Sequence, residues 1–306
     1  MNDQMLLAKC NRKTLLYGEL RVLTLLRNHL FDENMYRTIS EIWKDEENQL
    51  KIDYAIMEVL DVFRQYVRKP IQIDHLIKIH QYTCDVWKNG SKYLYFYTLH
   101  NQEHAIDLIK NIIKLIKAID YLQISSTDFY ILFIACYLHD ISMVKIPPAE
   151  LFLLDNEKAD EISVEYLETV QKKDNRDIKE VKKMLFDVYK KIDEFYEGEV
   201  RDYHASDSAK EIRSREDLRF LEDCLREKVA EIASAHGQNT DDIYKTKSNA
   251  RNSLISTKFD KILLRVADVL DMDNYRVSKP ILNHNVEQMS EKSAFHWISH
   301  LMTKGY

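Results

Sequence analysis

Apolar residues recur along the first third of this chain at the three- and four-residue spacing of amphipathic helices. Two such stretches cover residues 14–31 and 52–67, and the second stops just before Pro70, where a helix normally ends. A third helix is predicted over residues 73–87, because Asn and Gly at 89–90 form a helix-stopping pair. The pattern therefore predicts a helical N-terminal region.

The most apolar part of the sequence lies near its middle. Residues 104–122 show one apolar helix face, and the polar residues at 125–128 supply candidates for the N-cap of the next helix. That next segment, Phe129–Leu138, is apolar on every side, so we expect a central helix that is buried all round. It runs directly into His139 and Asp140.

The second half of the chain carries more charge. Residues 156–198 are predicted to form an exposed helical excursion. Helical spacing over residues 203–213 then aligns His204, Ser208 and Ile212 on one face. The remaining predictions are a long amphipathic helix over 216–236, a last strong helix over 259–272 and a less periodic tail over 280–306.

The glycine and proline counts exclude several fold classes. The 306 residues include 5 glycines and 4 prolines, whereas average usage would give about 21 and about 15. A Rossmann-type nucleotide fold, a P-loop or a turn-rich β-sandwich needs glycines that this chain lacks. The predicted fold class is therefore all-α.

Charge, hydropathy and cysteine usage indicate a cytoplasmic protein. The formal charge of -6 argues against the basic stripe that nucleic-acid binders carry. The longest apolar run is shorter than the roughly 20 residues needed to cross a bilayer, and the N-terminus lacks the design of a signal peptide. We therefore expect no membrane partner. The cysteines lie far apart, as expected for reduced thiols, at Cys10, Cys84, Cys136 and Cys224.

Candidate chemistry begins with polar residues at positions where the pattern expects apolar ones. His139 and Asp140 end the apolar run, and Asp268 lies inside the segment ILLRVADVL. An ionised carboxylate in such surroundings costs several kcal/mol unless a cation compensates it. Arg265, on the same helix as Asp268, is one such cation. A bound metal ion is the alternative that also explains the histidines.

A metal site at this point would draw on several helices. His104 opens the helix before the buried one, so antiparallel packing would bring it to His139 and Asp140, and Asp268 would arrive on a later helix. Two imidazoles and two carboxylates suit a divalent first-row metal or Mg²⁺ and leave about two positions open. A second ion ~4 Å away would help to clamp the oxygens of a phosphoester displacement. The candidates for holding it are His204 and His236.

Five motifs, in this order along the chain, resemble those of the HD-domain metal-dependent phosphohydrolase superfamily. They are YTLHNQEHAIDLI, IACYLHDISM, RDYHASDSAKEI, AEIASAHGQ and LLRVADVLDMDNYRV. Among the subgroups they are most similar to HD domains joined to a GHKL-type ATPase module, and the sequence contains no ATPase motif. The resemblance covers residues 93–280 and implies an HD-domain helical bundle with an additional N-terminal helical region.

The resemblance also implies a role for each matching residue. Asp140 would be a catalytic residue that bridges two ions, and a metal-bound water of lowered pKa would attack phosphorus. The implied ligands of the first metal are His104, His139, Asp140 and Asp268. His204 and His236 would bind the second metal or contact phosphate.

Four neighbouring residues are further candidates for the site. His100 lies four residues before His104, so on a helical turn it would face the same way and act as a general acid or as a hydrogen-bond donor behind the ligands. Asp271 and Arg276 flank the last ligand and are candidate substrate contacts, and Arg276 could hold a substrate phosphate as a bidentate donor. The family often has Gly and then Lys shortly after the doublet, whereas this chain has Ile141-Ser142-Met143 there. Lys145, two residues further on, is therefore the candidate phosphate contact in place of that lysine.

These observations predict three regions and one preferred activity. The regions are an N-terminal helical docking or packing region over 1–92, an HD phosphohydrolase domain over 93–280 and a C-terminal tail over 281–306. The charged insertion over 155–202 is a lid, a specificity insertion or a partner surface. The N-terminal helices would support a homo-oligomer or a partner module.

The preferred activity is a phosphohydrolase that cleaves a nucleotide or related small phosphorylated substrate with one or two divalent ions; Mn, Fe, Ni, Zn, Co and Mg are not distinguished. One alternative is a nuclease on single-stranded nucleic acid, which the acidic balance does not favour. Another is a non-catalytic module that senses a nucleotide or metal. The lysines that would have to build a nuclease groove are Lys172, Lys173, Lys182, Lys183, Lys190 and Lys191.

Overall fold

The computed structural model describes residues 54–90, 96–119, 124–145, 156–171, 178–247 and 256–303. These residues form α-helices joined by short 3₁₀ turns, with no strand among them, so the all-α prediction is confirmed. The predicted helix over 14–31, Cys10, Lys172 and Lys173 lie outside the described residues. The helices are α1 Tyr54–Tyr66, α2 Pro70–Gly90, α3 Gln102–Lys117, α4 Ser126–Leu138, α5 Glu157–Gln171, α6 Ile178–Ser214, α7 Asp223–Ala233, α8 Thr240–Lys245, α9 Thr257–Leu270, α10 Lys279–Asn285 and α11 Glu291–Met302.

Helix α4 is the centre of the bundle. It starts with a capping box, in which the Ser125 hydroxyl accepts from the Asp128 N–H and the Asp128 carboxylate accepts from the Ser125 N–H. Its residues from Asp128 to Leu138 are all buried, because α1, α2, α3, α7 and α9 pack around it. The stretch Ser126–Val144 has the length and hydropathy of a membrane span, but 89% of it is buried inside the protein. This burial is what a core helix of a soluble protein shows.

Helices α1 and α2 belong to the same hydrophobic core as α4. The Phe63 ring lies 5.3 Å from that of Phe133, and Tyr66 stacks on Phe129. Residues 54–90 therefore pack as part of the bundle. Pro70 is the first residue of α2, three positions before the predicted start, because proline is tolerated in the first helical turn.

Helix α6 runs unbroken through the predicted end of the charged insertion at 202. Its 37 residues span about 55 Å. The second half packs on the core through Ser208 and Ile212, two residues of the predicted face, and through Ala205. The first half pairs with α5, so the charged insertion and the His204 segment share one rigid element.

The predicted single helix over 216–236 is wrong, because the chain turns twice within it. A 3₁₀ turn at Glu216–Leu218 precedes α7, and a second one at Ser234–Gly237 follows it. The buried guanidinium of Arg226 donates to the carbonyls of Arg213 and Arg215 at 3.1 and 3.3 Å. These bonds satisfy the end of α6 and fix the turn that leads into α7.

The C-terminal residues are more regular than predicted. Serine N-caps open both α10 and α11, and these helices enclose a small core of Val277, Leu282, Met289 and Trp297. The Trp297 indole N–H donates to the Phe96 carbonyl at 2.7 Å. The C-terminal helices therefore lie against the segment that leads into α3.

Candidate metal centre

Six side chains from five separate segments converge at one end of α4. The doublet caps α4, and the other residues come from helices that pack around it or from the turn after α7. The predicted ligands that meet here are His104 on α3, His139 and Asp140 after α4, His204 on α6, His236 in the second 3₁₀ turn and Asp268 on α9.

The first group of donor atoms belongs to His104, His139 and Asp268. The Nε2 atoms of His104 and His139 are 3.2 Å apart, and they lie 3.4 and 4.0 Å from Asp268 Oδ1. Asp140 Oδ2 adds a fourth donor, 2.9 Å from His139 Nε2 and 3.7 Å from His104 Nε2. Donors that surround one ion at ~2.1 Å would be separated by about these distances.

The second group lies on the opposite oxygen of Asp140. Its Oδ1 is 3.3 Å from His236 Nε2 and 3.7 Å from His204 Nε2. The rings of His204 and His236 have their centroids 4.8 Å apart. One carboxylate thus faces both groups, one oxygen to each, which is the arrangement of a bridging ligand.

All four imidazoles are held in the same tautomer by a hydrogen bond from Nδ1. His139, His204 and His236 each donate to the carbonyl three residues earlier, at 2.9, 2.7 and 2.6 Å. His104 instead donates to the Asp271 carboxylate at 2.5 Å. Each ring, in its neutral form, therefore keeps the Nε2 lone pair for a metal, since an outward partner on Nδ1 fixes the ring and its tautomer.

Arg265 holds the turn that carries His236. Its guanidinium donates to the carbonyls of Ala235, His236 and Gln238 at 3.2, 2.8 and 2.5 Å. This cation therefore serves the turn, and the ion pair with Asp268 that the sequence left open is not formed. Asp268 instead lies against the histidines, 3.4 Å from His104.

The carboxylates and imidazoles shift each other's pKa values. Burial alone would lower the pKa of His139, but Asp140 and Asp268 beside it raise that pKa to about 9. Burial alone would likewise raise the pKa of Asp140, and the His139 imidazolium holds it well below its usual range. Asp268 is shifted downward as well, because His104 and His139 outweigh its burial. The site therefore keeps its carboxylates ionised.

An unsatisfied buried atom supports a metal at this site. His236 Nε2 is buried and makes no hydrogen bond, which is costly for a neutral acceptor unless something binds it. The nitrogen and carboxylate donors of the two groups suit a divalent first-row metal. These residues fit one or two such ions, and the donor set does not select among them.

His100 lies beside the site but outside the helix that carries His104. Helix α3 has its N-cap at Asn101, so the predicted helical turn through His100 does not exist. Its Nδ1 donates to the Thr98 carbonyl, and its ring centroid is 5.6 Å from that of His104. Burial and Arg276 lower the pKa of His100 well below its ordinary value, which makes it a neutral imidazole at pH 7.

The three predicted substrate contacts all have protein partners. The Arg276 guanidinium is buried and donates to the carbonyls of Leu99 and Asp271. It therefore links the segment before α3 to the segment after α9. Asp271 is buried behind His104 and orients that ligand. Lys145 pairs with Glu211 on α6. Asp271 and Arg276 thus have supporting roles around the site, because their polar groups are turned into the protein. The Lys145 ammonium is exposed beside Glu211, and its contact with a substrate phosphate stays a prediction.

Sequence reasoning missed one link between the doublet and α6. The Ser142 hydroxyl donates to the His204 carbonyl at 2.8 Å, and the Ser142 N–H donates to the Ser208 hydroxyl at 3.1 Å. A serine thus replaces the glycine of the family pattern and binds the turn after Asp140 to the helix that carries His204. The spacing of His204 and Ser208 on one face was the available signal.

Comparison with known proteins gives a single family. The family model described as HD-CE matches residues 94–306, which contain all six donor residues and the C-terminal helices. No curated protein and no solved structure gives a significant match.

Proposed function

The chain belongs to the HD-CE family, and from this premise we propose that it is a metal-dependent phosphohydrolase acting on a small phosphorylated substrate such as a nucleotide. The observation that supports the proposal is the shared Asp140 carboxylate between two groups of donors. A bridging carboxylate with histidines on either side is suited to two ions and the water between them. The same proposal includes a second domain, such as the ATPase module of similar HD proteins, and a cytoplasmic location.

The protein's own groups would prepare the site for such chemistry. A bound divalent metal would lower the pKa of a water and neutralise phosphate charge. Asp271 and the three backbone carbonyls behind the histidines keep the Nε2 atoms aimed inward. Asp140 keeps its negative charge at neutral pH and holds the two donor groups together. His100, as a neutral imidazole, would accept or pass on a proton beside His104.

The charges around the site favour a small substrate. Arg265 and Arg276 are committed to backbone carbonyls, and Lys145 is paired with Glu211. Phosphate charge would therefore have to be balanced mainly by metal, which suits a mononucleotide better than a polymer with many phosphates. A labelled single-stranded oligonucleotide belongs in the assay so that the nuclease alternative is tested too.

The test combines metal content with hydrolysis. The purified protein would be analysed for metals and then incubated with a nucleotide panel and the oligonucleotide. We expect metal-dependent release of phosphate or nucleoside from the panel, and loss of both bound metal and activity in the His139→Ala/Asp140→Ala variant. The exposed His284→Ala substitution is the matched control. Full activity in the doublet variant would overturn the proposal, and metal and nucleotide binding without turnover would favour the sensor alternative.

A further inference from the structure

Helices α5 and α6 form an antiparallel hairpin that exposes large apolar side chains. A small cluster of Ala159, Phe195 and Tyr196 joins the two helices near one end of the hairpin. Beyond this cluster the apolar side chains face solvent, and Tyr189 is 68% exposed. We call the exposed apolar residues of α6 the hairpin surface: Ile178, Leu185, Phe186 and Tyr189. On α5, Val164 and Leu167 are also exposed, but they lie on the side of the helix turned away from its contact with α6.

Three residues of the hairpin surface lie in one row along α6. Ile178, Leu185 and Tyr189 occupy positions i, i+7 and i+11, which lie on one side of a helix. Tyr196, seven residues further, lies on the same side and is buried. The side of α6 that is covered at Tyr196 is therefore uncovered over its first three turns. Scattered exposed apolar residues are normal, whereas a contiguous row indicates an interaction site.

The two helices of the hairpin carry opposite charge. Helix α5 has five acidic residues and one lysine, and residues 178–192 have five lysines and two acidic residues. Lys191 pairs with Glu165 inside the hairpin. Exposed side chains of both signs also lie along the two helices, and these are Asp160 and Glu161 on α5 and Lys182 and Lys183 on α6.

We propose that the hairpin surface binds the same surface of a second copy of this chain. In a two-fold arrangement, the acidic α5 of one copy faces the basic α6 of the other, and the contact is made twice. Leu185 and Tyr189 would lie in the apolar centre, with charge pairs at both ends. A single-stranded nucleic acid fits this surface less well, because the acidic α5 would repel its phosphates.

The first test removes the apolar centre. Sedimentation equilibrium of the full chain should show a dimer. The Leu185→Glu/Tyr189→Glu variant should raise the dissociation constant of this dimer by at least about tenfold. Phe295→Glu is the matched control, because Phe295 is also 68% exposed but lies on α11. Circular dichroism would check that each variant folds. If the wild-type chain is still monomeric at about 100 µM, its self-association is too weak for a specific dimer and the proposal is overturned. A dimer that persists in the double variant also overturns it.

The second test exchanges the charges. The Lys182→Glu/Lys183→Glu variant and the Asp160→Lys/Glu161→Lys variant should each lose the dimer. An equimolar mixture of the two should regain it, because a hairpin of net negative charge then meets one of net positive charge. No association in the mixture would overturn the two-fold arrangement. Binding of a labelled oligonucleotide that requires Lys182 and Lys183, by a chain that stays monomeric, would overturn the proposal in favour of nucleic acid.

Discussion

The four site histidines differ in one respect, the group that accepts from Nδ1. Three of them use a backbone carbonyl within their own helical turn, and His104 alone uses a carboxylate, that of Asp271. A charged acceptor makes the imidazole a stronger electron donor to a metal than a carbonyl does. His104 should therefore depend on its partner more than the other three histidines depend on theirs.

The Asp271→Asn substitution tests this dependence. The amide can turn its NH₂ toward Nδ1, which would force the proton of His104 onto Nε2 and block that ligand atom. We expect the affinity for a divalent metal to fall by about 10–100-fold. Isothermal titration of metal-stripped protein measures it, with Asp273→Asn as the control. Equal affinity in the two variants would show that Asp271 does not orient His104.

Asp260 is a buried acid away from the metal centre. Its carboxyl group is fully buried on α9, and neither oxygen accepts a hydrogen bond from a described residue. Burial, reinforced by the neighbouring Asp128, raises its pKa to about 9. The folded protein therefore binds a proton here that the unfolded chain, with an ordinary aspartate pKa near 4, has released.

Because of this difference, Asp260 costs stability as pH rises from about 4 to 9. The Asp260→Asn variant keeps a neutral polar group of the same size and lacks the titration. We expect its Tm to exceed that of the parent by a margin that grows between pH 5 and 9. Thermal unfolding across this range measures the margin, with exposed Asp202→Asn as the control. A margin that shrinks with pH would contradict the raised pKa.

At the residue scale, the sequence identified the donors but not their partners. His139, Asp140 and Asp268 stood out because polar residues interrupted apolar segments, and the structure places them together. Asp271 and Arg276 were predicted to contact substrate because they flank the last ligand. Their actual partners lie 167 and 177 positions away along the chain, and no spacing rule reaches that far.

At the scale of elements, the apolar periodicity predicted which segments are helical and failed where tertiary contacts interrupt them. The break in residues 216–236 depends on Arg226, whose buried guanidinium binds carbonyls from the preceding helix. The tail formed helices because its apolar residues, Trp297 among them, pack against one another and against the segment at Phe96. Both outcomes require knowledge of the packing that local patterns do not contain.

Gly237 shows how closely two of these elements approach. A Cβ atom at this position would lie 2.5 Å from the Ala205 Cβ on α6. Ala205 follows His204, and Gly237 follows His236, so this contact sets the distance between the second pair of histidines. No side chain larger than hydrogen fits without moving the turn away from α6.

The Gly237→Ala substitution should therefore separate His236 from His204. We expect weaker binding of the second metal ion, with the first group near His104 little changed, because His104, His139 and Asp268 lie on other elements. Metal stoichiometry by elemental analysis would fall from two toward one. Gly198→Ala is the control: nothing lies within 4 Å of its added Cβ, and alanine in mid-helix should stabilise by about 0.5–1 kcal/mol. Unchanged stoichiometry in Gly237→Ala would contradict the expected separation.

At the scale of the whole molecule, the candidate metal centre joins segments from His104 to Asp268 around the end of α4. The same helices share the main hydrophobic core with α1 and α2. An ion bound here would hold α3, α6 and α9 to that core, so loading and global stability should be linked. Fold class and the order of ligands were predictable, because both follow from local patterns. The union of residues 54–90 with the bundle was not, because no sequence pattern marks which helices share one core.

Proton release should accompany metal binding, because His139 is the predicted ligand whose pKa is raised to about 9. An ion must displace that proton, so we expect metal affinity to rise by about tenfold per pH unit between 7 and 9. The imidazolium stabilises the metal-free fold fully below the unfolded histidine pKa of about 6.5, and this contribution is lost as pH rises through 9. The Tm gap between metal-loaded and chelator-treated protein should therefore widen over that window.

Titration calorimetry in buffers of different ionisation enthalpy would count about one proton released per site at pH 7.5. A metal affinity that does not change with pH would contradict the role of His139 as a ligand.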